Sequence, residues 1–165
     1  MIDSPRAVEE QVGMADYKMT GDPSIVLVAP NLGSCLGVAI YDFQKKIGAV
    51  AHFLLPSSKK NPNKALHKPY MYVDTGLINL LRLLIKSGCR KKELVIKAAG
   101  GALINSDSDI FKIGKRNYNI FRKILWQNDL LIDAQDVGGA FSRSLCLQIS
   151  SGRTWVKTRG VAKDI

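Results

Sequence analysis

The chain has 165 residues, 46% hydrophobic and 23% charged, the length and composition of one globular domain with a buried core, which excludes wholesale disorder. Lys and Arg number 24 against 14 Asp and Glu, a formal charge of +10 that favours acidic partners and says nothing about fold. No apolar run approaches the ~20 residues of a membrane span, and MIDSPRAVEEQ lacks the basic and apolar regions of a signal peptide.

These totals predict a soluble cytoplasmic protein, with residues 1–165 as a single domain and 1–11 as a loose lead-in. Val12 to Thr20 reads as a weak first strand. Asp22-Pro23 is a turn signal, and the apolar, β-branched run Ser24–Ala29 reads as a buried strand. Pro30 ends that strand or sits at its edge, because it has no N–H for a ladder. Leu36–Tyr41 and Ile47–Leu55 are two further apolar runs whose spacing is that of a hairpin. Ser57 to Pro69 is a long, polar, basic loop. Asp74 reads as the N-cap of a helix carrying Leu77, Leu80, Leu81, Leu84 and Ile85 at helical spacing and stopped by Ser87-Gly88.

Glu93–Ala99 reads as a strand broken by Gly100-Gly101, followed by a polar loop at Ser106–Asp109. A second helix over about 115–128 carries Ile120, Phe121, Ile124 and Leu125 on its apolar face. Leu130–Val137 reads as a strand ended by Gly138-Gly139, and Arg143–Ser150 with Arg153–Thr158 as a hairpin about Ser151-Gly152. Most adjacent strands are linked too tightly to be parallel, since a parallel crossover needs a dozen or more residues. The expectation is an α/β domain with mixed, largely antiparallel sheets and two helices packed on them.

The three cysteines are odd in number and lack CxxC spacing, which argues against a disulfide framework and a cysteine zinc site. Cys146 reads as packing, and Cys89 has no evident histidine partner. The two histidines are His52, in the return strand of the hairpin, and His67, in the basic loop and read as solvated. Cys35 follows Asn31-Leu32-Gly33-Ser34, where backbone amides can converge on one point. A two-residue turn pairing Asp42 with Lys45 puts Cys35 opposite His52; a five-residue loop puts Leu36 there and sends Cys35 to the other face. In contact, the imidazole would stabilise the thiolate and serve in acid–base steps, and the amides of Gly33, Ser34 and Cys35 would hold an oxyanion. The plain alternative is a buried thiol beside a hydrogen-bonded core histidine. Both glycine pairs follow strands and allow tight turns or close backbone approach to a ligand, with turn chemistry as the default reading.

Seven blocks in order, LGSC (32–35), the apolar strand after it that ends in YD (36–42), GAVAHFLLP (48–56), YVDTG (72–76), KAAGGA (97–102), IGKRN (113–117) and DVGGAFSRS (136–144), closely resemble the CheD family, chemoreceptor glutamine deamidases of bacterial and archaeal chemotaxis. The resemblance implies a layered α/β/β sandwich related to the cytotoxic-necrotising-factor type of cysteine hydrolase. It implies hydrolysis of receptor glutamine side chains to glutamate, with Cys35 as nucleophile, His52 as general base, and no metal or cofactor. Implied partners are chemoreceptor cytoplasmic helices and a CheC-type phosphatase. The family usually has a catalytic threonine six residues before the cysteine, and that position is Ala29, with Asn31 or Ser34 as candidate substitutes. The departure motivates a second reading, a catalytically weak adaptor that binds a phosphatase or receptor. A nucleic-acid-binding module rests on charge alone and ranks behind both, because the chain has neither a recognised binding motif nor an aromatic-interleaved basic platform.

Overall fold

The computed structural model describes residues 6–104 and 112–165. The chain runs β1 (Val8–Gln11), β2 (Asp16–Thr20), β3 (Ile25–Leu32), β4 (Leu36–Asp42), β5 (Ile47–Phe53), α1 (Pro62–His67), α2 (Val73–Lys86), β6 (Leu94–Gly100), α3 (Ile113–Gln127), β7 (Ala134–Val137), β8 (Arg143–Gln148), β9 (Thr154–Thr158) and β10 (Val161–Asp164). The strands form two five-stranded sheets, ordered β1-β3-β8-β9-β10 and β2-β5-β4-β6-β7. Only β1–β3 and β6–β7 pair in parallel among the described strands, so the sheets are mixed and largely antiparallel.

Alternation along β4 and β5 assigns each side chain to one of two cores. Leu36, Val38, Ile40, Ala51 and Phe53 face α2 and α3, meeting Leu77, Leu80, Leu84, Phe121 and Leu125. Ala39, Tyr41 and Val50 face the other sheet, meeting Leu27, Ala29, Leu145 and Leu147. The layers are therefore helices, sheet and sheet, the α/β/β arrangement expected. Among the described residues, no helix is long and apolar enough to cross a membrane.

Several elements differ from the sequence reading. Residues 8–11, read as lead-in, form edge strand β1, and the first strand read over 12–20 is confined to β2. The basic loop contains a third, short helix, α1, and a 3-10 turn at Pro69–Met71. Asp74 is not the N-cap of α2, because the helix already begins at Val73. Its carboxylate instead accepts from the Ser58 N–H at 2.9 Å and the Ser57 hydroxyl at 3.1 Å, tying the basic loop to the helix. Pro30 does not stop β3, which continues to Leu32 through an irregularity in its pairing with β8. The β1 ladder reaches only Val28, so the missing proline N–H costs no bond on that side. Strand β7 begins at Ala134 rather than Leu130, and β10 is an additional exposed edge. The loop read at Ser106–Asp109 lies outside the described residues.

Candidate active site

Asp42 pairs with Ile47, leaving a four-residue loop, so Gly37 stands opposite His52 and Leu36 opposite Phe53. Neither turn weighed from the sequence is the one formed. The Asp42 carboxylate accepts from the Gln44 and Lys45 N–H groups at 2.8 and 2.9 Å, and Lys46 takes a left-handed φ of 55° to re-enter the strand. Relative to the two-residue turn the register moves by two, which preserves the face. Cys35 and His52 therefore lie diagonally across Gly37 on the inter-sheet side, where Cys35 packs against the inter-sheet core. A Cβ on Gly37 would meet Leu32 Cδ1 at 2.6 Å, so a side chain there would require Leu32 to shift.

The loop before β4 is held by its carbonyls. Gly33 O accepts from the Ala102 N–H at 2.8 Å, Cys35 O from the Gly101 N–H at 2.8 Å, and Ser34 O from Asn117 Nδ2 at 2.9 Å. The N–H groups of Gly33, Ser34 and Cys35 engage no backbone or side-chain acceptor outside their own residue among the described residues. Three successive carbonyls are thus pinned while the three amides of the loop remain as donors, that of Cys35 facing its own sulfur. Asn31 is exposed, in the left-handed region at φ 54°, with its N–H toward the Ser144 hydroxyl at 3.4 Å.

His52 is 2% exposed, and its Nδ1 lies 3.4 Å from Val12 O. A carbonyl can only accept, so Nδ1 carries the proton and Nε2 holds the lone pair. Nε2 is buried with no partner among the described residues. Burial lowers the imidazole pKa from 6.5, opposed by the Val12 carbonyl. Burial raises the half-buried Cys35 thiol from 9.0, opposed by its own backbone N–H. Both shifts favour neutral forms, and no hydrogen bond joins sulfur to imidazole among the described residues. The resting pair is thus thiol and neutral imidazole, not the stabilised thiolate that contact would give. Such a pair works by general base catalysis, the proton passing as the sulfur attacks, and catalytic contacts commonly tighten only when substrate binds.

Ala29 is fully buried on the same inter-sheet side and offers no polar atom. The group that touches the imidazole is Val12 O, on the chain between β1 and β2, and neither Asn31 nor Ser34 takes that place. The glycine pair after β6 is a close approach as well as a turn: a Cβ on Gly100 would stand 2.3 Å from Cys35 O. Gly138-Gly139 keeps the turn reading, with φ of 80° and 71°. Its loop is gripped by the buried Arg143, which pairs with Asp136 and donates to Gly138 O. A cavity of about 330 Å³ lies alongside the 33–35 loop, lined in part by Gly101, Ala102, Lys112, Tyr118 and Gly139. Cys89 and Cys146 are buried, 3% and 0% exposed, with thiols pushed up to about 11. Among the described residues, no cluster of three or more His, Cys, Asp or Glu is placed to hold a metal ion.

Sequence reasoning missed Val12, Gly100 and Asn117 as parts of this site. The signal for Asn117 was available: it is the one amide in the stripe Gly114, Asn117, Phe121, Ile124, Leu125 that α3 buries.

The family model for CheD chemotactic sensory transduction matches residues 54–158, beginning just past His52. Curated relatives extend the match across the site. The chain is 40% identical to a probable chemoreceptor glutamine deamidase CheD of Solibacter usitatus, over 93% of this chain and 91% of that one. It is 38% identical to one from Syntrophus aciditrophicus, over 90% and 93%, and 41% identical to one from Anaeromyxobacter dehalogenans, over 89% and 92%. Among solved structures, it is similar to a Neisseria meningitidis protein of family DUF152, at TM-score 0.40 and 14% identity, over 76% of this chain and 52% of that one.

Proposed function

The chain belongs to the CheD family, and from that footing we propose that it deamidates chemoreceptor glutamines by a cysteine mechanism, with Cys35 as nucleophile and His52 as general base. The observation that carries the reading is the unpartnered Nε2 of a buried imidazole fixed through Nδ1 on the sheet face that also bears Cys35. The names of the relatives supply the substrate class.

The steps balance without a cofactor. Cys35 Sγ attacks the carboxamide carbon while Nε2 takes the thiol proton. The oxyanion is received by the free amides of the 33–35 loop, and Nε2 returns the proton to the departing nitrogen, which leaves as ammonia. Water then attacks the thioester, its proton passing to Nε2 and on to the thiolate, releasing glutamate. The Val12 carbonyl stabilises the transient imidazolium through Nδ1–H, the orienting role that Ala29 cannot fill.

The partner side is supported by a groove of about 550 Å³ between the basic loop and α3. Its floor includes Leu55, Ile113 and Ile120, and Lys59, Lys60, Arg116 and Lys123 stand around it. An acidic helical segment fits that chemistry, and the reading places the enzyme in the cytoplasm, where a receptor's signalling helices lie. A CheC-type phosphatase is the proposed second partner.

Incubating the protein with a chemoreceptor cytoplasmic fragment and mapping glutamine-to-glutamate conversions by mass spectrometry tests the proposal. Conversion by wild type and none by Cys35→Ala is expected. The adaptor reading is favoured by the burial of Ala29; a receptor fragment that binds and keeps every glutamine would establish it instead.

A further inference from the structure

We infer that Asn117 is a positioning residue that sets the spacing between the Cys35 loop and the His52 strand, an assignment that rests on the reading of those two as the reacting groups. Asn117 is fully buried in the apolar stripe of α3, where an amide is costly unless its hydrogens are bonded. Its Nδ2 donates to Ser34 O at 2.9 Å and to Leu54 O at 3.0 Å. Ser34 is the residue before the nucleophile, and Leu54 lies two residues past the histidine. One amide group thus joins the entry of β4 to the exit of β5. Both partners only accept, so the NH2 end must face them and the assignment of nitrogen and oxygen is fixed.

The helix that presents this amide is seated on the same loop from another side. A Cβ on Gly114, one turn earlier, would lie 2.6 Å from Gly101 O and from Ala102 O, so backbone meets backbone there. Gly101 and Ala102 are the residues whose N–H groups hold Cys35 O and Gly33 O. Helix α3 therefore reaches the nucleophile loop twice, through the β6 exit and through Asn117. The Oδ1 of Asn117 is left buried without a partner among the described residues. An unpaired acceptor is a cost to the fold, and the clamp is kept against it.

Positioning matters because His52 and Cys35 make no hydrogen bond at rest, so the reacting distance is set by what holds their two backbones. A misplacement of about 1 Å can lower a rate about 10²-fold. The test compares wild type with Asn117→Leu, similarly branched but bulkier and unable to donate, and Asn117→Ser, which avoids overpacking. Three readouts are taken: kcat and KM for glutamine conversion on the receptor fragment, hydrogen exchange of segments 32–36 and 53–56, and the urea midpoint. Expected are a fall in kcat of about 10²-fold with KM little changed, and faster exchange in both segments together. Wild-type kcat with wild-type exchange in those segments overturns the assignment, as does a lower urea midpoint with kcat and exchange unchanged. If wild type converts no glutamine, the functional reading falls by itself and exchange alone decides the clamp.

Discussion

Gly100→Ala should damage the protein more than Gly138→Ala, although both glycines begin a glycine pair at the end of a strand with positive φ, 104° and 80°. Left-handed backbone costs an L-residue about 1–2 kcal/mol at either position. At Gly138 nothing else is owed, because a new Cβ meets nothing within 4 Å. At Gly100 the Cβ would be 2.3 Å from Cys35 O and 3.1 Å from Leu32 Cβ. That carbonyl cannot swing away cheaply, being held by the Gly101 N–H at 2.8 Å, with the neighbouring Ser34 O held by Asn117. Overpacking adds about 1–3 kcal/mol and the displaced hydrogen bond about 0.5–1.5 kcal/mol. Gly100→Ala should thus be less stable than Gly138→Ala by roughly 1.5–4.5 kcal/mol in urea unfolding with an unchanged m value. Alkylation of Cys35 in the folded protein should change in Gly100→Ala and not in Gly138→Ala. Equal losses in the two variants would refute the packing of Gly100 on the Cys35 carbonyl.

Acid should destabilise the protein through His52. Its folded pKa lies below the 6.5 of the free side chain, so below that pH the unfolded chain binds a proton that the folded chain refuses. Stability should therefore be intact above about pH 6.5 and decline below it, by up to about 1.4 kcal/mol per pH unit, in wild type and not in His52→Gln; parallel urea midpoints for the two would contradict this. Alkylation of the native protein should label Cys35, increasingly as pH rises through the alkaline range, while Cys89 and Cys146 react only after unfolding. Charge reversal of Lys59, Lys60, Arg116 and Lys123 should raise KM for the receptor fragment at low salt and leave kcat near wild type, the difference shrinking as ionic strength rises. An unchanged KM would remove the groove from substrate recognition.

The hairpin bearing the candidate site was legible because two apolar β-branched runs separated by four polar residues and Phe43 admit few other arrangements. Its register was not legible, because it depends on Lys46 taking a positive φ in a loop with no glycine. Strands β1 and β10 escaped for a shared reason: each is a four-residue edge with its residues mostly exposed, so neither shows alternation. The helix α2 was legible from its leucine spacing, but its N-cap was displaced by two residues, from Asp74 to Tyr72, because Asp74 serves the Ser57-Ser58 turn instead of capping. The orienting contact on His52 is a main-chain carbonyl, and sequence carries no mark of which carbonyl a histidine will meet. Asn117 was hidden by its neighbours, since Lys115, Arg116, Arg122 and Lys123 make the helix look polar until the buried stripe is traced.

The claim that Cys35 is the nucleophile is tested most directly by trapping the acyl-enzyme. Wild type mixed with the receptor fragment, quenched in acid and digested should yield a peptide in which the sulfur of Cys35 is joined through a thioester to a receptor glutamine side chain, with ammonia lost, and Cys35→Ala should yield neither adduct nor glutamate. Glutamine conversion that proceeds in Cys35→Ala, with no adduct on Cys35 in wild type, would contradict it.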